Sequence, residues 1–435
     1  MKKLFYFLLL TCTIACEEQK QQPSTLIETN ATAINLNNYL TALTKLKKFN
    51  GVLFAVSNDS LLIHKAFNLS NQTDSSIFVT PQSQFDIHSV SKLMVNYLFT
   101  KLDVEKQLSK YQTIDTFYPN FPNGDKITID MLLQHSSGLP RKLIGFKGNE
   151  LDLTTKEIIE LTQQQLLLFE PGSDKQYSNI GYEILHDILA NHYKKPFAQC
   201  IMDEIFKPLN MNNSGAHFYI KEERLKNLAR NHVLKDSILV AIPNVLEDEF
   251  KTSRIFSTAE DLNQFLTHIK QEPYVTMLKN DDGIIAKNGG SDGIRTQVYT
   301  NINQNFNFVF LANYDEIPFQ KTIQDLIKIL NHQSVEIPKE LNRKAIPVDI
   351  DTLKKYVGAY SFADFGNLVL EVAIENNQLV VFQDDEKIAT LQAETPTVFF
   401  EDPKVPESFE FKLNEQGTYD AWMGWKGISL EGKRR

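Results

Sequence analysis

Ser89-Val90-Ser91-Lys92 opens onto a run of apolar side chains, Leu93-Met94-Val95-Asn96-Tyr97-Leu98-Phe99, and nowhere else in the 435 residues does a lysine follow a serine at this spacing. Three residues is nearly one helical turn, so a helix here puts the hydroxyl and the amine on one face. By itself S-x-x-K carries little weight, because a solvated helix start yields the same string. Two further elements give it weight. A Pro171-Gly172 turn precedes Tyr177-Ser178-Asn179, and a helix-like run from Tyr182 to Leu189 follows it. Tyr118-Pro119-Asn120 and Tyr299-Thr300-Asn301 share the Y-x-N spelling but not that setting, and Lys287-Asn288-Gly289 is the only K-x-G in the chain.

In this order, S-x-x-K, Y-x-N and K-x-G, the chain resembles the serine β-lactamase and penicillin-binding-protein superfamily, most of all the branch that groups class C β-lactamases with D,D-peptidases and related esterases. Other stretches carry the resemblance further: Phe85-Asp86-Ile87-His88, Ile127 to Pro140 with its His135-Ser136-Ser137-Gly138-Leu139-Pro140, Ile205-Phe206-Lys207-Pro208-Leu209-Asn210-Met211, and Ser257-Thr258-Ala259-Glu260-Asp261-Leu262. One departure stands out. Ser253-Arg254 occupies the place where the family usually has paired glycines, which bears on how open that wall of the cleft is and on substrate size.

Along the chain, Asn50–Val56 and Leu61–Phe67 flank the turn cluster Ser57-Asn58-Asp59-Ser60 and read as a hairpin. Residues 85 to 272 are mainly helical by periodicity. Gly293–Tyr299 and Asn305–Asn313 read as two more strands, and Thr322–His332 as a last helix. The resemblance implies an α+β fold, an antiparallel β-sheet flanked by helices with an all-helical lobe, over residues 33–335. A proline-bounded charged linker, 336–347, leads to a region, 348–435, of short strands that resembles a lipocalin-like β-barrel. Trp422 and Trp425 are expected in the barrel core rather than at a pocket, and Glu431–Arg435 as a frayed tail.

The net charge of −9 with no basic stripe excludes a nucleic-acid footprint. Lys2-Lys3, an apolar run from Leu4 to Ile14 and Ala15-Cys16 resemble a bacterial lipoprotein signal, residues 1–15, with Cys16 as the lipidated residue. A polar stalk, 16–32, then implies an exported, envelope-anchored protein whose partners are a membrane, through that lipid, and a small-molecule or peptide substrate. Cys200 is then the only other cysteine of the mature chain and reads as a buried helix residue, so no disulfide is expected. The histidines are scattered without metal-ligand spacing, and no cofactor is expected.

A serine hydroxyl needs a neighbour to accept its proton, and Lys92 serves only when neutral, which calls for burial or nearby positive charge. Lys287 supplies such a charge if it faces the same cleft. The resemblance implies Ser89 as nucleophile, with Lys92 or Tyr177 as the base and Tyr177 protonating the leaving group. It implies Asn179, Lys287 and Gly289 in substrate binding, and the N–H groups of Ser89 and Gly290 as the oxyanion hole. The expected reaction is acyl transfer to water through an acyl-enzyme on Ser89, with a lysine at 287 favouring a peptide that ends in a D-amino acid or a free carboxylate. The alternatives are a small-molecule esterase or amidase, a class C-like β-lactamase, and an inactive sensor or scaffold that works through its barrel.

Overall fold

The computed structural model describes residues 30–70, 72–217, 224–235, 238–243, 254–363, 368–425 and 428–435. The signal segment, Cys16, the stalk as far as residue 29, and Ser253 lie outside these residues. The first part of the chain forms α1 (Ala31–Lys45), β1 (Gly51–Ser57), β2 (Ser60–Phe67), β3 (Phe85–Asp86), α2 (Ser91–Val104), α3 (Ile129–Leu133), α4 (Thr155–Thr162), α5 (Ile180–Tyr193) and α6 (Phe197–Ile201). There follow β4 (Gly215–His217), β5 (His232–Lys235), β6 (Ile238–Ala241), β7 (Arg254–Ser257), α7 (Ala259–Ile269), α8 (Tyr274–Leu278), β8 (Ile284–Ser291), β9 (Ile294–Asn301), β10 (Phe306–Ala312) and α9 (Phe319–Leu330).

The centre is a five-stranded antiparallel sheet in the order β2-β1-β10-β9-β8, so the two ends of this region meet where β1 pairs with β10. Both faces of the sheet are covered, which is why its middle strands read as unbroken apolar runs. Leu53 and Ala55 of β1 and Phe306, Phe308 and Phe310 of β10 pack with α1 and α9 on one face. Val52, Phe54, Val309 and Leu311, the alternate residues, face α2, α5 and α7 on the other. α1 begins where Asn30 caps it, its side-chain oxygen accepting the N–H groups of Thr32 and Ala33, so the last residues assigned to the stalk belong to a helix.

The stretch from 85 to 272 is less uniformly helical than its periodicity predicts, because β3, β7 and β4 form a small sheet and β5 and β6 a hairpin within it. Two to four residues are too few to establish a strand period, and these strands exist only through their partners. No helix among the described residues is long and apolar enough to cross a membrane.

The second part comprises α10 (Ile350–Leu353), β11 (Gly358–Phe362), β12 (Leu368–Glu375), β13 (Gln378–Gln383), β14 (Glu386–Ala393), β15 (Val398–Phe400), β16 (Ser408–Leu413), β17 (Tyr419–Trp425) and β18 (Ile428–Arg434). The strands close into an eight-stranded barrel, and its inside is filled by side chains. Tyr356 stacks on Phe411 at 4.4 Å between ring centroids, and its hydroxyl donates to the carbonyl of Pro396. The linker is pinned to the barrel by Arg343, which pairs with Glu394 at 2.6 Å and donates to the Glu407 carbonyl.

Two expectations fail here. Trp422 is outside the core, with the ammonium groups of Lys412 and Lys433 at 4.6 and 5.8 Å from its ring, and Trp425 is 39% exposed. Along β17 the inward positions fall to Ala421 and Met423, so strand alternation turns Trp422 outward, whereas Trp425, in the inward phase, is the last residue of the strand and is exposed at the barrel's end. The terminus is not frayed, because β18 closes the barrel: Tyr360 pairs with Arg434 and Ser361 with Lys433, and the Arg434 side chain donates to the carbonyls of Lys355 and Val357. Truncation before Ile428 is therefore expected to open the barrel and unseat buried Leu430, a loss of about 2–5 kcal/mol and roughly 10 °C or more in barrel melting. Calorimetry of the truncated chain checks this; an unshifted transition would return the terminus to a passive tail.

Candidate active site

Ser89 lies in a 3-10 turn, His88–Val90, that feeds directly into α2. Backbone bonds build the turn: Val90 N–H donates to the carbonyl of Ile87 at 3.0 Å and the Ser91 hydroxyl to that of His88 at 2.7 Å. His88 has φ +44°, a left-handed conformation uncommon for a residue with a Cβ. Asp86 holds it there, accepting His88 N–H at 2.9 Å through Oδ1, with Oδ2 3.4 Å from the imidazole Nε2. The nucleophile candidate therefore stands just ahead of the helix rather than on it, and Lys92, in the first turn of α2, reaches back to place Nζ 3.4 Å from Ser89 Oγ.

Tyr177 approaches from the helical lobe and donates its hydroxyl to Ser89 Oγ at 2.8 Å. The segment is fixed by Ser178, whose hydroxyl donates to the Pro140 carbonyl and accepts Gly181 N–H at the start of α5, and whose N–H donates to His135 Nδ1 at 3.1 Å. The His135 ring lies 4.3 Å from that of Tyr177. With Nδ1 accepting, the proton of His135 is on Nε2, and burial, helped by Lys287 and Lys92, brings its pKa down to about 4. Asn179 donates its backbone N–H to the Arg141 carbonyl, while its carboxamide makes no hydrogen bond among the described residues.

β8 brings the third motif. The two-residue loop Asp292-Gly293 joins β8 to β9 with Ser291 opposite Ile294, the closing hydrogen-bonded pair of such a hairpin. Pairs alternate from there, so Gly290, opposite Arg295, is in a non-hydrogen-bonded pair and its N–H faces the free edge of the sheet. That edge lies against the nucleophile's turn: a Cβ on Gly289 would stand 2.9 Å from Ser89 N and 2.5 Å from the Ile87 carbonyl oxygen. Lys287 Nζ stands 5.2 Å from the centroid of the Tyr177 ring.

The electrostatics follow from this crowding. Lys92 Nζ sits 5.3 and 5.1 Å from the rings of Tyr177 and Tyr182 with no carboxylate at ion-pair distance among the described residues. Burial brings its pKa to about 7, aided by Lys287, Arg254 and Arg141 and opposed by Glu183. Burial lowers Lys287 as well and raises Tyr177, the latter held back by the hydrogen bond to Ser89 and by Arg141. At neutral pH the cluster thus contains a phenol that keeps its proton and an amine that readily loses one. Among the described residues no group of three histidine, cysteine or carboxylate side chains is placed to hold a metal ion.

The structure brings together Ser89, Lys92, Tyr177, Lys287 and Gly289, with Asn179 and Gly290 on the adjoining segments. Four residues in the cleft were not singled out as site residues in the sequence. Arg141 lies 5.4 Å from the Tyr177 ring, Tyr182 flanks Lys92, His135 supports Tyr177, and the charge of Arg254 acts on Lys92. His135 and Arg141 bracket the stretch Ser136–Pro140, so the landmark held the signal, but nothing in the sequence shows that it packs on Tyr177.

Comparison with known proteins places this geometry. The family profile Beta-lactamase matches residues 36–317. The chain is 24% identical over 381 residues to penicillin-binding protein 4* of Bacillus subtilis, covering 76% of this chain and 83% of that one. Among solved structures, the octameric penicillin-binding protein homologue of Pyrococcus abyssi superposes with a TM-score of 0.60 at 18% identity, covering 92% of this chain and 99% of that one. The β-lactamase/D-alanine carboxypeptidase of Yersinia pestis superposes with a TM-score of 0.55 at 18% identity, covering 69% and 98%. With the profile spanning well over half of its length, the chain belongs to the Beta-lactamase family, within the serine β-lactamase and penicillin-binding-protein superfamily, and is a serine hydrolase.

Proposed function

We propose that this hydrolase cleaves the terminal amide of peptides ending in a D-amino acid or another free carboxylate, through an acyl-enzyme on Ser89. The observation that carries the reading is the convergence of Lys92 and Tyr177 on Ser89 Oγ, with a second cation, Lys287, beside Tyr177 and unpaired with any carboxylate among the described residues. Neutral Lys92 takes the hydroxyl proton as Oγ attacks the carbonyl carbon. The oxyanion is received by the N–H groups of Ser89 and Gly290, and Asn179 holds the acyl-side amide. The C–N bond then breaks as Tyr177 delivers a proton to the leaving amine and recovers one from Lys92, and water releases the acid. Tyr177 is the donor rather than the base because its hydroxyl is already directed at Oγ and its pKa is raised.

Lys287 favours an amide with a nearby carboxylate over a simple ester, which needs no such cation. The similarity to a penicillin-binding protein and to a β-lactamase/D-alanine carboxypeptidase agrees with that choice. We place the reaction at the cell envelope, with the chain exported and anchored through a lipid on Cys16. The filled barrel interior favours the hydrolase over a scaffold that works through a ligand held inside the barrel.

Intact-mass analysis after incubation with a penicillin and, separately, with a fluorophosphonate tests the reading. One adduct with each reagent, absent in Ser89→Ala, is the expected result. A fluorophosphonate adduct without a penicillin adduct would shift the function to ester hydrolysis, and no adduct with either would end the acyl-enzyme reading.

A further inference from the structure

Where the hydrolase region, the linker and the barrel meet, they enclose a cavity of about 550 Å³. It lies at the C-terminal end of α1, on the sheet face covered by α1 and α9, whereas the Ser89 turn feeds α2 on the opposite face. None of its lining residues belongs to the Ser89 cluster. The linker forms one wall and is fixed at both ends: Val335, just before it, packs against the core between α1 and α9, and Arg343 pairs with Glu394 of the barrel. The walls are therefore anchored chain, and the volume is that of a site for a small organic molecule, a kind of site that commonly forms where domains join.

Leu43 and Leu46 of α1, Ile337 and Leu341 of the linker, and Val405 and Trp425 of the barrel supply apolar walls. Two of these stay bare in the folded chain, Ile337 at 41% and Trp425 at 39% exposure, and a ligand with an apolar body would take that surface out of water. The charges around the cavity do not balance. Of its six lysines, Lys48 pairs with Glu316 at 3.9 Å, Lys339 with Glu336 at 2.7 Å and Lys321 with Asp325 at 2.6 Å. Lys45, Lys47 and Lys404 make no ion pair among the described residues. On the acidic side Glu407 has its Oε2 closed off from solvent and so withheld from the cavity, which leaves Glu340 against three ammonium groups.

We propose that this cavity is a second binding site, for an amphipathic organic carboxylate whose apolar body seats against Ile337 and Trp425 and whose acid group is met by Lys45, Lys47 and Lys404. It is independent of the acyl-enzyme reading of Ser89. Ammonium groups on flexible stems suit an acid group that arrives on a body of variable shape, because they need no fixed geometry to meet it. The rival is that the lysines serve the fold alone. Lys45, in the last turn of α1, does complement the helix dipole, but Lys404, on the loop between β15 and β16, has no such role.

The test uses the fluorescence of Trp425, which lines the cavity while Trp422, the only other tryptophan, does not, so the full chain carrying Trp422→Phe has a single reporter. Decanoate, kept below the concentration at which it forms micelles, is the probe; acetate lacks its apolar body, and decyltrimethylammonium has the same body with the opposite charge. Decanoate is expected to shift the emission to the blue, saturably, with a Kd on the order of 0.1 mM. Acetate is expected to leave the emission unchanged, and decyltrimethylammonium to bind about tenfold more weakly or less. Adding Lys45→Gln, Lys47→Gln and Lys404→Gln together is expected to weaken decanoate about tenfold, and Ile337→Asn about as much through lost apolar contact. The signal does not pass through the nucleophile, so adding Ser89→Ala is expected to leave the Kd unchanged. No shift with decanoate, an equal Kd for the cation, an equal response to acetate, or a Kd unmoved by the three lysine changes overturns the assignment. Binding lost in Ser89→Ala would put the probe in the catalytic cleft and remove the second site.

Discussion

Replacing Lys92 by methionine is expected to lower kcat by about 10³-fold, the scale of a lost general base, while making the folded protein more stable. Both effects have one cause. The ammonium is held largely out of water between two tyrosine rings, with Lys287, Arg254 and Arg141 nearby, and this brings its pKa from 10.5 to about 7. In the unfolded chain it returns to its ordinary value, so between about pH 7 and 10 the unfolded state binds more protons and stability rises with pH. Below pH 7 the full penalty of a buried charge applies, a few kcal/mol at one pKa unit per roughly 1.4 kcal/mol. Methionine fills the same space without that charge, so its gain in stability is expected to be largest at pH 6 and to fade toward pH 10.

Activity in wild type follows the same titration with its own sign. If neutral Lys92 is the base, kcat/KM climbs as pH rises through about 7 and then levels, because the raised pKa of Tyr177 puts any contribution from that phenolate at much higher pH. Denaturant unfolding at pH 6 and pH 10, with a pH–rate profile of the wild type, checks both halves. A Lys92→Met enzyme that keeps its turnover, or a wild-type profile flat from pH 6 to 8, would remove Lys92 from the role of base.

The hydroxyl, amine and phenol of this cluster were legible in the sequence because each is a chemical group in an uncommon setting. What the sequence withheld is how the groups meet. β8 carries Lys287, Gly289 and Gly290, yet its Ala286-Lys287-Asn288-Gly289-Gly290-Ser291-Asp292-Gly293 stretch has neither β-branched residues nor alternation and does not read as a strand. It is a strand because the largely buried β9 supplies its ladder and Gly293, at φ +71°, turns the chain back. β1 and β10 are the converse: buried on both faces, they show their apolar runs directly. Arg254 was visible as a departure from the family's glycine pair, but the strand that carries it, β7, is brought to the nucleophile's turn by pairing with β3, a strand of only two residues.

The barrel divides in the same way. β12 and β13 are rich in valine and leucine and could be read, whereas β14 starts at Glu386-Lys387 and β18 ends at Lys433-Arg434, charges that suggest a loop or a tail. In a closed barrel no edge is left for polar strands to blunt, so each is held by two neighbours whatever its outward residues are. The outward residues can be bulky too, as Trp422 under the stems of Lys412 and Lys433 shows.

Gly289→Ala is expected to slow acylation of Ser89 by about 10²-fold or more while leaving the protein folded. The added Cβ would lie 2.5 Å from the Ile87 carbonyl oxygen, 2.7 Å from Thr296 Oγ1 and 2.9 Å from Ser89 N. None of these can swing aside. Two are backbone atoms of the nucleophile's turn, and the Thr296 hydroxyl is held by donation to the carbonyls of both Ile87 and Gly289. The strand itself must therefore retreat from Ser89, on the order of an ångström, and it carries away Gly290 N–H and Lys287 together. Gly290→Ala is the control, because its Cβ would meet the Ile294 carbonyl oxygen at 3.0 Å and the flexible Arg295 side chain at 3.1 Å, on the side away from Ser89. Its expected loss is below tenfold. The stability cost of either change is that of a modest overpacking, about 1–3 kcal/mol, so melting curves alone will not separate them. Rates of fluorophosphonate labelling will: a deep loss in Gly289→Ala beside a shallow one in Gly290→Ala is the signature of an oxyanion strand positioned by contact with the serine turn. Equal losses would mean that β8 holds its place by the β9 ladder alone.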